Sequence, residues 1–285
     1  MASNPLTVGH AGRVRHHGSH LMFAYLEAKL MKRRFQLLNH CLENQRLTIG
    51  VVSLFLGMTT VALADYKPPS EPSHPEQPTI ISGTRGGCSK NGKAKLTTLA
   101  PQEHIGQTVS THPTFAWFVP DAESLPMKFQ IYQGDVNENR QPIHNIELQT
   151  TPGIMTHSLS EDELGLSVGQ RYRWQVVIIC EPNHPSSAIV AQGYIDVVQE
   201  SPDLKIALAA ATNPVDRANI YADRGFWYDG FGEVVGSGDD ARHRELIRDL
   251  LTDLAKIEAS GNSKSASQKS ERIQQILEIE SRTRR

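Results

Sequence analysis

Three cysteines in 285 residues is a small number, and it excludes a disulfide-dense secreted scaffold. Other absences narrow the field further. No G-x-S-x-G elbow is present, so an α/β-hydrolase nucleophile is not expected. "GTRGGC" lacks the Gly-Lys-Ser/Thr ending of a phosphate-cradling loop. The histidines beyond residue 64 (His74, His104, His112, His144, His157, His184, His243) show neither H-x-H nor H-x-x-x-H spacing. No metal site and no cofactor are therefore expected. A basic body is also missing. Residues 1–64 carry seven Lys/Arg against two acids, a charge of +5, which leaves −7 for residues 65–285 given the whole-chain −2. An acidic body argues against a nucleic-acid partner.

The basic leader has its own explanation. "MKRRFQLLNHCLENQR" precedes the uncharged run Leu47–Ala64, which closes on Ala62-Leu63-Ala64 before Asp65. That order reads as a secretory signal with an A-x-A cleavage site. The alternative is a retained inner-membrane anchor, because 18 uncharged residues come close to a bilayer span. Either way the only membrane association expected is through this segment. The protein is expected in the periplasm or outside the cell.

Residues 65–79, "DYKPPSEPSHPEQPT", hold five prolines and read as a stiff spacer or a disordered terminus. From 80 to 199 the hydrophobic period is two. Phe115, Trp117 and Val119 share a face, as do Met127, Phe129 and Ile131. "RYRWQVVIIC" is the clearest strand: Tyr172, Trp174, Val176, Ile178 and Cys180 face one way, and Arg171, Arg173 and Gln175 the other. About six such strands without intervening helices predict a mainly β fold, an antiparallel β-sandwich. "LSVGQRYRWQV" resembles the strand entry of immunoglobulin/fibronectin-like modules. Trp117, Tyr172 and Trp174 are the expected core anchors.

Residues 200–258 read as a small α-helical segment. Ser201-Pro202 and Asn213-Pro214 are N-cap plus first-position signals, and Gly225 is a stop. Leu246, Leu250, Leu254 and Ile257 make one face of a strong amphipathic helix. "SGNSKSASQKS" reads as a flexible linker and "ERIQQILEIESR" as a short amphipathic end, a partner helix or nothing, so 259–285 is expected to be a flexible tail with a short amphipathic helix. "GFWYDGF" concentrates aromatics that either dock the helices on the sandwich or line a ligand groove.

With Cys41 in the leader, an exported chain keeps Cys88 and Cys180, and an even pair in an oxidising space suggests a bridge. It would close a loop of about 90 residues, for which the chain-entropy account gives about 4–5 kcal/mol. A buried free pair and a catalytic thiol are the alternatives.

"GTRGGC", "THPTFAWFVP", "TTPGIMTHSL", "GQRYRWQVVIIC" and "ANIYADRGFWYDGF", in this order, resemble a cyanobacterial exported family catalogued as domain of unknown function 928. The resemblance covers about Ser82 to Val235. It implies an envelope location, supports pairing Cys88 with Cys180, and implies no reaction. The chain departs from the family pattern at "ICEPNHPSS", where an Asp is expected after the cysteine.

These readings give an exported envelope protein with no catalytic residues, used as an interaction or structural module. Its partner is another envelope protein or a cell-wall glycan, and Arg171, Arg173, Trp227 and Tyr228 are the candidate interaction surface. The competing readings are a carbohydrate-active hydrolase, using acids such as Asp162, Glu163 or Glu181, and a membrane-anchored sensor ectodomain.

Overall fold

The alternating segments form strands because each can bury one row of side chains in a shared core. In a computed structural model the described residues are 65–75, 95–120, 123–134, 141–181, 183–235 and 240–283. All of them belong to one unit, Ala62–Arg285. The leader, with its signal or anchor alternatives, lies outside the described residues.

The strands are β1 (Thr97–Thr98), β2 (Gly106–Thr108), β3 (Thr114–Val119), β4 (Pro126–Gln133), β5 (His144–Gln149), β6 (Gly153–Ser158), β7 (Arg171–Ile178) and β8 (Ile189–Val197). They make a three-stranded sheet, β1-β3-β6, and a five-stranded sheet, β2-β8-β7-β4-β5. The strand pairs are antiparallel except β2–β8, which is parallel. The larger sheet is thus mixed, where the sequence predicts an antiparallel one. β2 and β8 lie far apart in sequence, so no tight turn imposes an antiparallel partner.

The sheets meet through aromatic rings. Phe115 of β3 lies 5.1 Å from Phe129 of β4 and 5.2 Å from Trp174 of β7, centroid to centroid. Trp117 stacks on Phe129 at 5.7 Å. Opposite Trp174 in the β7–β8 register stands Gly193. A Cβ there would meet the indole Nε1 at 2.9 Å, so glycine makes room for the ring. β3 is buried on both faces, since Ala116 and Phe118 are covered almost as fully as Phe115 and Trp117. The alternation predicts one buried face; helices cover the other. Phe118 pairs with Ile154, which lines a groove with Ile247, Leu251 and Leu277 of the last two helices.

Among the described residues five helices follow the sheets: α1 (Pro202–Ala210), α2 (Pro214–Asp223), α3 (Trp227–Val235), α4 (Ala241–Ser260) and α5 (Lys264–Thr283). Among the described residues no helix is long and apolar enough to cross a membrane. Ser201 and Asn213 cap α1 and α2 by accepting the Leu204 and Asp216 amides. α5 differs from expectation. It starts inside the stretch that reads as linker and runs 20 residues. The Ser263 hydroxyl accepts the Ala266 amide at 3.0 Å, and Ala266, Ser270, Ile273 and Ile276 are buried along one side. Small and polar residues on that face conceal its first half from a hydrophobicity pattern, whereas residues 271–282 are the expected short amphipathic helix.

The proline-rich arm differs too. Tyr66 is 3% exposed, with its ring 4.9 Å from Trp227 and its hydroxyl 2.8 Å from His104 Nε2. The Lys67 amide donates to the Ala222 carbonyl, the Lys67 ammonium pairs with Asp223, and the Ser73 hydroxyl donates to Asp196 at 2.9 Å. Residues 65–75 are therefore part of the folded body, because one aromatic ring and a few hydrogen bonds anchor a chain that proline has already stiffened.

Candidate functional site

The α2–turn–α3 segment builds a cleft in which several charged groups face one opening. α2 stops at Asp223, and Gly225 takes φ +84°, a left-handed value that glycine accepts freely. A Cβ at Gly225 would also meet the Pro69 nitrogen at 2.9 Å, so the turn fits tightly against the arm. α3 then buries Trp227, Tyr228, Phe231 and Val234. Asp229 and Glu233 lie one turn apart at its polar edge.

The cleft, of about 420 Å³, opens between this edge, α2 and the strands β3 and β6. Arg217, Tyr221, Asp229 and Glu233 line the helical side, and Ser110, His112, Thr114 and Ser158 line the strand side. The Asp229 carboxylate accepts the Thr108 hydroxyl at 3.0 Å and the Val109 amide at 3.1 Å. Burial nevertheless raises its pKa from 3.8 to about 7; these hydrogen bonds oppose the shift only in part. The Arg217 guanidinium donates from Nε to Glu233 Oε1 at 2.6 Å, and this bond raises its own pKa further. Burial lifts the Tyr221 phenol to about 12, so it stays protonated. On the opposite wall the Thr114 and Ser158 hydroxyls bond each other at 2.8 Å.

This arrangement suits binding better than acid–base work. A working pair of carboxylates needs one free to donate and one free to accept at the reacting atom. Here Glu233 is clasped by Arg217 and Asp229 is held by the β2 end.

The residues singled out from the sequence lie elsewhere or deeper. Trp117 and Trp174 are fully buried and Tyr172 is 3% exposed, with its hydroxyl accepting the Ser167 amide at 2.8 Å. Arg171 makes a two-pronged ion pair with Asp196, at 2.8 and 3.0 Å. Arg173 lies over the Tyr132 ring at 4.2 Å and donates to Gln175. Both guanidinium groups therefore have partners on the outer face of the large sheet and take no part in the cleft. Trp227 is 1% exposed and is a core residue; Tyr228, 2% exposed, is mostly core as well, but part of it lines the Asp229 cleft. Their apolar bulk is covered when α3 packs against the sheets. Cys180 stands two residues beyond β7. Cys88 lies outside the described residues. Of the three acids considered for hydrolysis, Glu163 accepts the Ser160 amide, which lowers its pKa, and Glu181 pairs with His184 at 2.8 Å. Asp162 is exposed. They lie on two separate loops.

The ligand-groove alternative for the aromatic window holds for Tyr221 and Tyr228, which line the cleft, but sequence reasoning missed Arg217, Asp229 and Glu233. The available signal was two acids at i and i+4 inside an aromatic-rich helix, shortly after an Arg-x-x-x-Tyr pair.

Residues 81–269 match the family model described as Domain of Unknown Function (DUF928), a span that includes both sheets, α1 to α4 and every residue of the cleft. No curated protein and no solved structure matches the chain. With more than half of its length matched, and in the region that folds around the Asp229 cleft, the chain belongs to the DUF928 family.

Proposed function

We propose that the protein is an exported component of a cyanobacterial cell envelope, periplasmic or extracellular, that recognises a partner through the Asp229 cleft and catalyses no reaction. The observation that carries this reading is the state of the cleft's charges. Glu233 is paired with Arg217, and Asp229 is held by Thr108 and Val109, which leaves an organised polar surface without a free acid–base pair. Export is supported by the basic run, the apolar run and the A-x-A site at Ala62–Ala64. Tyr66, two residues later, is already packed in the folded body, which agrees with cleavage after Ala64.

The reading includes two finer features. The two-sheet body is an immunoglobulin-like sandwich, for which the aromatic stack of β3, β4 and β7 is the support. A Cys88–Cys180 bridge locks the segment before β1 to the end of β7.

The test begins with mass spectrometry of the native N-terminus, expected at Asp65, alongside fractionation. Affinity capture from the envelope fraction then uses the wild-type protein and Ser158→Trp, a bulky change at an exposed position in the cleft wall. The wild-type protein should retain a partner that the variant loses. Retention by neither, or a cytosolic chain with an intact leader, would reject the reading.

A second reading has one observation in its favour. Asp229 and Glu233 are two carboxylates on one cleft wall, the feature a carbohydrate-active hydrolase requires. Product release from wall polysaccharide that Glu233→Gln abolishes would establish it.

A further inference from the structure

We infer that the Asp229 cleft binds an uncharged saccharide unit, with Glu233 and Arg217 as its principal hydrogen-bonding groups. The inference rests on the recognition reading above and names the class of ligand.

Charge is the first argument. Two carboxyls face one guanidinium, so an anionic ligand meets no net positive field. A cationic ligand would need an uncompensated carboxylate. Glu233 already has the Arg217 guanidinium at 2.6 Å, and both Asp229 oxygens already accept hydrogen bonds from the protein. A neutral ligand leaves these pairs in place.

Hydrogen-bonding capacity is the second argument. A carboxylate has about four acceptor sites and a guanidinium about five donors. Arg217 donates from Nε to Glu233 and from Nη2 to the Tyr221 hydroxyl at 3.4 Å, which uses two of its donors. The cleft thus presents donors and acceptors side by side, joined by the Ser110, Thr114 and Ser158 hydroxyls on the opposite wall. A sugar hydroxyl donates and accepts at once, so adjacent hydroxyls suit a carboxylate and a guanidinium that stand side by side. An apolar ligand would cover these groups and offer them no hydrogen bond, which is unfavourable.

Size is the third. At about 420 Å³ the cleft lies within the range of small-ligand sites, roughly 300–1,000 Å³, and is too small for a folded domain.

The experiment is calorimetric titration of the purified protein with a panel of neutral oligosaccharides built from hexose and N-acetylhexosamine. Uronate-bearing and phosphorylated oligosaccharides of equal length are the charged counterparts. At least one neutral member should bind at least tenfold more tightly than its charged counterpart. Ser158→Trp should weaken it at least tenfold with an unchanged melting temperature. Glu233→Gln, checked by the same melt, should weaken it as well. Failure of every neutral member to bind, tighter binding of a charged member, or undiminished binding by Ser158→Trp would overturn the inference. If envelope capture still distinguishes wild type from Ser158→Trp while the neutral panel fails, only the saccharide assignment falls. If both fail, the recognition reading falls with it.

Discussion

Trp174 donates its indole N–H to the Tyr228 hydroxyl at 2.7 Å, and that hydroxyl donates in turn to the Tyr194 carbonyl at 2.8 Å. One buried oxygen therefore joins β7, β8 and α3. Burial also raises the phenol pKa well above its usual value, so Tyr228 remains a donor at every physiological pH. Tyr228→Phe preserves the ring and removes both bonds, leaving an indole N–H and a carbonyl that must find other partners. Urea unfolding should show a loss of about 2–5 kcal/mol. A loss under about 0.5 kcal/mol would mean that the relay contributes little to holding α3 in place.

Asp229 should give stability a pH dependence of its own. The folded carboxyl holds its proton up to about pH 7, and the unfolded one releases it near 3.8. Between those values the folded state binds more protons, so this group's contribution falls as pH rises, by up to about 1.4 kcal/mol per unit. Asp229→Asn retains hydrogen-bonding groups for Val109 and Thr108 without the charge. The difference between wild-type and variant stability, measured from pH 4 to pH 8, should widen in the variant's favour up to about pH 7 and then level off. A flat difference would show that the carboxyl titrates as in water.

Glu258 and Lys269 link the α4–α5 hairpin to the small sheet. Glu258, fully buried, accepts the Gln102 amide at 2.6 Å and the Glu103 amide at 3.2 Å. Lys269, 3% exposed, donates to the carbonyl and hydroxyl oxygens of Thr98. Burial pushes the acid's pKa up and the base's down, and each charge counters the shift of the other. Glu258→Ala should therefore cost about 3–5 kcal/mol. A double-mutant cycle with Lys269→Met should give a coupling above about 0.5 kcal/mol, and additivity within that limit would show that the two groups act separately.

Gly225→Ala tests the docked arm. The substitution adds a Cβ at φ +84° and 2.9 Å from Pro69. A loss of about 1–3 kcal/mol is expected from the backbone term alone. Faster proteolysis between residues 65 and 75 should accompany it if the arm is displaced. An unchanged cleavage rate would show that the arm holds without the tight turn.

For the sulfur link, reductant should lower the stability of the mature protein by about 2–5 kcal/mol. A peptide map under non-reducing conditions should recover Cys88 and Cys180 in one fragment. Two alkylatable thiols in the unfolded, unreduced chain would reject the bridge.

Much of the fold is legible in the chain because it depends on period. The runs Thr114–Val119, Pro126–Gln133 and Arg171–Ile178 alternate in the sequence, and burial follows the alternation in the last two. Ser201 and Asn213 cap where their side chains predict, since an N-cap is a local bond. The first half of α5 is not legible because its contact face is built from Ala266, Lys269 and Ser270, residues whose burial depends on the approach of α4 and β1. Tyr66 is hidden for the same reason: a lone aromatic in a proline-rich stretch gains a role only when Trp227 and His104 are brought to it.

The sequence by itself determined most of the strands, the helix starts at Pro202 and Pro214, the acidic charge of residues 65–285 and the order of sheets and helices. These follow from side-chain period, local capping and net charge, none of which needs a distant partner. Tertiary structure alone decided that Arg171 and Arg173 are occupied, that Trp227 and Tyr228 are core, and that Arg217, Asp229 and Glu233 share a cleft with Ser110 and Ser158. A site of this kind is made by residues about one hundred positions apart, and their meeting depends on how whole layers pack.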